Sequence, residues 1–491
     1  MFAVKEKVNG SHLSNKRKRE MKDVSPEEFL PTNKELDKLE KDFIVLAARV
    51  IVKQIPSMQE VFKDAVVHHI KHQYSEEMET KSEQVPLGAY ALNENKHEDM
   101  IEIIERIQER YVPKDESGDG VTFFGGDQLT EERSRSAQNA RADGRTVEER
   151  LQGLLPKFED WHAIRTAYDS ALKVFYSKEA TGDAGTYLTN AIKTGNKNAL
   201  RKVEDKFQEV REFFDIETKA LLLSGFLKQE GFENIEDYHP PQELLTKDVK
   251  TRRRWLHGRI RLFLKDNIMV SLQSLTKMLP EQRTHKCRDA TCNNVNTTHF
   301  LLLSSCCLRF FFLPAKNMHE QREHGLEPLT SLPSSEKKLV DDDLFKYSCS
   351  RLCVGLLLLD ANDAVKEGDG DRLLRFYNVF TFIFRLNGNH KYAYVFLRLK
   401  ARELALLSPR VFHRLKWNRF VNSKGGKGKN ISLDLRLEHI NKVTKALIKS
   451  QGMQNLTDKS VEDISKAIGG RGGDAETENC LGGLDSSKDF L

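Results

Sequence analysis

The chain has 491 residues, 39% hydrophobic and 31% charged, enough for two or three packed domains and typical of a mainly helical protein rather than a disordered or membrane-embedded one. Its 78 basic residues against 73 acidic ones leave a net charge of only +5, which excludes the global field of a nucleic-acid coat protein and makes any polyanion contact local. Residues 1–10 lack the apolar core of a signal peptide, and the most apolar run, 299–313, is interrupted by Arg309. No membrane partner is expected.

Along the chain, residues 1–33 are polar and basic and are expected to be flexible. Within them Lys16-Arg17-Lys18-Arg19 has the make-up of a nuclear import signal, although a solvated run reads the same way. In 34–176, Leu39, Phe43, Leu46, Ala47, Val50 and Ile51 recur at helical spacing, and a second helix is expected over 98–111. Val121-Thr122-Phe123-Phe124 reads as a buried strand that ends at Gly125-Gly126 and delivers Asp127. Thr130 is placed to cap the next helix, and Thr146 with Glu149 to form a capping box for another short one. Residues 154–158 then lead to Glu159-Asp160-Trp161-His162 and a helix over 164–176. The fold class expected is mostly α with a small α/β core.

Residues 177–410 read as a helical insertion, broken at 181–185, at Pro240-Pro241 and at 367–370. The stretch 285–338 has no helical or strand period and reads as an irregular insertion or as translated non-coding sequence. Seven cysteines occur, six of them from Cys287 to Cys353, without a secretory signal, which points to a reducing compartment: nuclear or cytoplasmic, not secreted. Residues 411–460 hold a basic loop, Ser423 to Asn430, and a long amphipathic helix over 432–450. The 461–491 tail, Gly-rich and acidic beyond 469, is expected to be disordered.

Chemistry is sought at the junctions. Asp127 and Asp160 each stand where an apolar segment gives way to a helix. On the last helix, Leu433, Leu437, Ile440, Thr444 and Leu447 form an apolar stripe, with Asp434, Glu438, Asn441 and Lys445 on the stripe beside it. Asp127, Asp160 and Glu438 are hard oxygen ligands suited to Mg²⁺ or Mn²⁺ if they converge, and such ions activate a nucleophile and stabilise a leaving oxygen in phosphodiester chemistry. The bland reading of Glu438 is an ion pair with Lys442 on a solvated edge. His162 is a candidate proton carrier, or else a helix-start histidine with a packing role.

Lys424, Lys427 and Lys429 in the glycine loop, and Arg252, Arg253 and Arg254 beside Trp255, are candidate phosphate contacts for DNA; a solvated helix face is the competing reading for the arginines. His285, Cys287, Cys292 and His299 offer zinc-ligand types at a spacing that matches no standard module. His319-Glu320 lacks the second histidine one turn on and is no zinc-protease motif.

Five strings together carry a family resemblance: Asn93 through Ile101, Gly126-Asp127-Gln128-Leu129-Thr130, Glu159-Asp160-Trp161-His162, Gly368-Asp369-Gly370, and Asn422 through Asn441. The chain resembles the domain of unknown function 6589 over roughly residues 35–460. That family is similar to cut-and-paste transposases, and the resemblance implies a truncated RNase H-like core interrupted by the large helical insertion. In such a core the first acid lies on the first strand, the second after the fourth strand and the third on a late helix. Asp127 and Asp160 are 33 residues apart and read as separated by two capped helices, too close to be the first and second. The resemblance implies an Asp-Asn segment farther upstream, before this chain begins. Asp127 or Asp160 is then the second acid and Glu438 the third, with the first missing. The expectation is a transposon-derived protein resembling an RNase H-like transposase or nuclease, truncated and weakly active or inactive; the alternative is a non-catalytic DNA-binding or protein-interaction scaffold of the same family.

Overall fold

The computed structural model describes residues 1–87, 90, 92–112, 121–180, 184–269, 272, 281–286, 295–300 and 343–450. The fold is mostly helical, as the spacing predicts. Among the described residues no helix is long and apolar enough to cross a membrane.

Strand β1 (Phe2–Val4) pairs antiparallel with β2 (Gln84–Pro86). Between them lie α1 (Asn33–Gln54), α2 (Pro56–Phe62) and α3 (Ser75–Glu79). Helix α1 begins where Thr32 accepts from the Glu35 amide and Glu35 reaches back to the Thr32 amide. Helix α4 (His97–Tyr111) is followed by the unit β3 (Thr122–Gly126), α5 (Gln128–Ala140), β4 (Leu154–Phe158) and α6 (Asp160–Phe175), in which the two strands run parallel with Thr122 opposite Leu154. Helices α7 (Tyr187–Lys193), α8 (Val203–Glu230) and α9 (Val249–Leu264) come next, then β5 (Glu281–Lys286) and β6 (Val295–Phe300). The chain continues with α10 (Asp343–Glu367), α11 (Gly370–Leu386), α12 (His390–Ala401) and α13 (Pro409–Trp417), and closes with the hairpin β7 (Phe420–Val421), β8 (Ile431–Ser432) and α14 (Leu433–Ser450).

The short parallel sheet lies between two hydrophobic clusters. Phe124 and Leu154 pack with Met100, Ile104, Ile107 and Ala137 of α4 and α5. Phe123 and Leu155 face the main core, which Phe158 joins at the end of β4 and which is built from α1, α6 and α8 to α12 around Phe43, Tyr168, Phe214, Leu357, Phe376 and Phe380. Alternation along the strands therefore places helices on both faces and points both strand ends, with Asp127 and Asp160, the same way.

Several sequence expectations change. The first 33 residues are pinned rather than loose: the Lys7 and Val8 amides donate to Asn418 Oδ1, Glu6 pairs with Arg414, and Arg19 is held by Glu28. Of the basic run, Lys16, Arg17 and Lys18 remain exposed. Asp127, not Thr130, caps α5, because it sits extended three residues ahead of the amide it accepts from. Thr146 and Glu149 do exchange the hydrogen bonds of a capping box, yet only turns follow, so α5 and β4 separate Asp127 from Asp160 and there is no second helix. Most of 285–338, including the side chains of His285, Cys287, Cys292 and His299 and the His319-Glu320 pair, lies outside the described residues, as does the 461–491 tail.

Candidate acidic site at the sheet end

Asp127 follows β3 at the first turn of α5, where its Oδ1 accepts the Thr130 amide at 2.7 Å. Gly126 allows this turn, since a side chain there would collide with Thr130. Asp127 Oδ2 has no hydrogen-bond partner among the described residues.

Glu438 lies one turn into α14, exposed, and among the described residues makes no hydrogen bond or ion pair, so the simple bridge to Lys442 does not form. One turn earlier, Asp434 is buried. Its Oδ1 accepts from the Trp161 amide at 3.0 Å, and its Oδ2 from the His162 amide at 2.9 Å, with His162 Nδ1 at 3.0 Å. Asp434 thus caps α6 from a distance of more than 270 residues in sequence, at the helix end whose own N-cap residue, Glu159, makes no capping bond.

The charges of these carboxylates act on two titratable groups. Burial alone would lower the His162 imidazole; the hydrogen bond and charge of Asp434, with the charges of Asp127 and Glu438, raise it on balance. Burial and the charge of Asp127 raise the Glu94 carboxyl, with Glu438 adding to the rise against Thr130 and Arg133. Asp127 and Glu438 thus each act through their charge on both Glu94 and His162, and Asp434 acts on His162 directly. Among the described residues, no three His, Cys, Asp or Glu side chains already surround a point where a metal ion would sit.

Asp160 belongs elsewhere. It is fully buried and gripped by Arg419, with Nε at 2.9 Å and Nη2 at 2.5 Å from Oδ1, and Tyr377 donates to the same oxygen at 2.5 Å. Arg419 also donates to the Phe158 carbonyl and lies over the Phe158 ring. The expectation that Asp160 gathers with Asp127 and Glu438 is thus corrected: a buried guanidinium competes for its oxygens, and the carboxylate anchors α6 to the segment before β7.

The basic candidates divide in the same way. Arg252 forms a two-pronged pair with Asp64, Arg253 donates to the Ala65 carbonyl, and Trp255 stacks on Phe62, so this part of α9 clamps the end of α2 and the turn after it; Arg254 stays exposed. The glycine loop is held rather than free. Asn422 and Asn430 donate to the Met78 carbonyl, the Gly426 amide donates to the Glu79 carbonyl, and Gly425, Gly426 and Gly428 take the positive φ angles that this path needs. Lys427 stands 3.7 Å from Glu79, and Lys429 lies against Gly426.

Sequence reasoning does not single out Glu94 or give Asp434 a role. Glu94 lies in a loop with no periodic signal, and Asp434 reads as part of a solvated edge until its partner helix is known.

A family model described as a family of unknown function (DUF6589) matches residues 18–470. No curated protein and no solved structure matches the chain.

Proposed function

The chain belongs to the domain of unknown function 6589 family, and on that premise we propose that it is a transposon-derived protein with an RNase H-like core, whose acidic site binds a divalent cation and supports weak or no DNA cleavage. The observation that carries this reading is that Asp127, from the end of a parallel strand, and Glu438, from the last described helix, both act through their charge on Glu94 and His162. The parallel unit of β3, α5 and β4 with α14 packed beside it supports the same reading, as the part of such a core that bears a second and a third acid. The helices from α7 to α12 then stand as the insertion.

The donor set fits Mg²⁺ or Mn²⁺. Asp127, Glu438 and Glu94 offer hard carboxylate oxygens from three segments, Glu438 is uncommitted, and burial with the charges of Asp127 and Glu438 raises Glu94, which a cation would relieve. Asp127 and Glu438 would hold the ion, with Glu94 as the further oxygen donor. Bound there, a divalent ion supplies charge neutralisation and an activated water for phosphodiester chemistry. His162, held by Asp434 beside the acids, is oriented to carry a proton. With Asp160 given over to Arg419, the set suits one ion better than two, and losing one ligand of a two-metal arrangement lowers rate by orders of magnitude.

Titration calorimetry with Mn²⁺ on the full chain tests this. Binding is expected for the parent protein and is expected to weaken at least tenfold in both Glu438→Ala and Asp127→Ala, with any Mn²⁺-dependent nicking of DNA lost in both. A second reading, a scaffold without chemistry, draws on Asp160, Arg252 and Arg253 being committed to internal clamps. Mn²⁺ binding indifferent to Glu438 would decide for the scaffold.

A further inference from the structure

Beside the acids, a recess of about 310 Å³ lies between β3, the start of α14, β1 and the end of α13. Its walls are largely apolar, with Phe2, Phe123, Phe124, Leu154, Leu433 and Leu437 among them. Lys157 and Glu159, each only 3% exposed, form an ion pair on one side. Glu159 can lie there because Gly125 has no side chain: a Cβ at that position would fall on the carboxylate. The pair leaves valence unused. Lys157 spends one of its three N–H groups on Glu159 Oε1, while Glu159 Oε2 is buried with no hydrogen-bond partner. The indole N–H of Trp417, another wall residue, is also buried and unpartnered. A buried polar group left open in this way costs roughly 1–3 kcal/mol, which a bound ligand of the right pattern would recover.

We propose that this recess receives a single guanine base. A flat aromatic ring suits apolar walls of this size. One edge of guanine presents neighbouring N–H donors, which match the Glu159 carboxylate, and a carbonyl oxygen beside them, which matches the Lys157 ammonium. A neutral base also leaves the buried charge pair balanced. Adenine offers an amino group where guanine has the carbonyl, so it faces the ammonium with a donor and meets the carboxylate with one N–H at most. The recess shares Asp434 with the acid cluster, and its wall residue Gly126 immediately precedes Asp127, so an unstacked base seated there would bring its own phosphate toward the carboxylates. The assignment rests on the nuclease-like reading only for the base being part of a nucleic acid.

Guanosine and adenosine, which carry no phosphate, separate the two ideas when titrated into the full chain by calorimetry in the presence of a metal chelator. Guanosine is expected to bind and adenosine to bind at least tenfold more weakly. Glu159→Gln, which keeps the shape and removes the charge, is expected to weaken guanosine roughly 5- to 150-fold, the span of one two-pronged base contact. Leu437→Trp, at a partly exposed wall position, fills the recess and is expected to abolish binding even if Glu159→Gln proves unfoldable. No heat with millimolar guanosine, equal affinity for adenosine, or guanosine binding unchanged in Leu437→Trp or in a folded Glu159→Gln would each overturn the proposal. The Mn²⁺ titration of Glu438→Ala reads the acid site on its own, so either idea can fail while the other stands.

Discussion

Asp127 and Asp160 both follow the ends of neighbouring parallel strands, Asp127 directly after β3 and Asp160 after β4 with Glu159 between, yet they serve opposite ends. At the first junction the acid caps its own helix, keeps one oxygen open, and acts through its charge on Glu94. At the second, a guanidinium from 259 residues away closes over the acid, and capping of the helix passes to Asp434. A strand end presents an acid but does not decide its use. The decision is made by what the distant chain lays against it, as the buried arginine at the second junction shows.

The largest expected effect comes from breaking the second junction. Arg419→Met leaves Asp160 charged, fully buried and without its cation, and removing one partner of such a pair typically costs about 3–5 kcal/mol. The denaturation midpoint should fall accordingly, and Asp160→Asn combined with Arg419→Met should recover a substantial part, because no orphan charge remains. If Arg419→Met melted with the parent protein, the clamp would not hold α6 and the contrast between the junctions would collapse.

A middle-sized effect is expected from the two glycines that end β3. Gly125→Ala drives a methyl group into the Glu159 carboxylate, and Gly126→Ala drives one into Thr130. Overpacking of this kind costs roughly 1–3 kcal/mol. The two should differ in kind: Gly125→Ala displaces a buried ion pair, whereas Gly126→Ala disturbs the first turn of α5 and the Asp127 cap. Urea midpoints of both variants, set beside Mn²⁺ affinity, check this, with Mn²⁺ affinity falling more for Gly126→Ala.

Removing the first acid should matter less for stability. Asp127→Ala loses a cap worth about 0.5–2 kcal/mol, offset in part by relief of the repulsion with Glu94. A loss near that of Arg419→Met would show that Asp127 is as structural as Asp160.

These contrasts also set how far the sequence can be read. The β3 strand and Asp127 are visible because Val121 to Phe124 ends abruptly at two glycines, and Glu438 because the last helix carries a regular stripe. β4 reads only as an apolar lead-in, since Pro156 and Lys157 interrupt its pattern. Local signals also mislead: the Thr146–Glu149 box is chemically complete without a helix behind it. The partners that assign each acid, Arg419 for Asp160 and Asp434 for the α6 amides, lie hundreds of residues away and leave no mark in local periodicity. The arginines around Trp255 resemble a phosphate-tracking face until Asp64 is placed opposite them.

The smallest effect expected is on proton affinity, and it reads the first junction through the second. His162 sits at the start of α6, but its imidazole is raised by Asp434 and, across the gap between the junctions, by Asp127 and Glu438, against the lowering effect of burial. A histidine raised on folding binds protons more tightly in the native state, so its contribution to stability is fully present below the unfolded value near 6.5 and fades as pH rises through the native value. Asp127→Asn should lower the native value slightly, as the loss of a distant charge, and Asp434→Asn should lower it more, as the loss of a hydrogen-bonded carboxylate. Asp160→Asn, whose charge is already neutralised by Arg419, should leave it nearly unmoved in the folded protein. NMR titration of the His162 ring in the three variants ranks the effects. Equal shifts from Asp127→Asn and Asp160→Asn would mean that both strand-end acids face the same space, which the Arg419 clamp forbids.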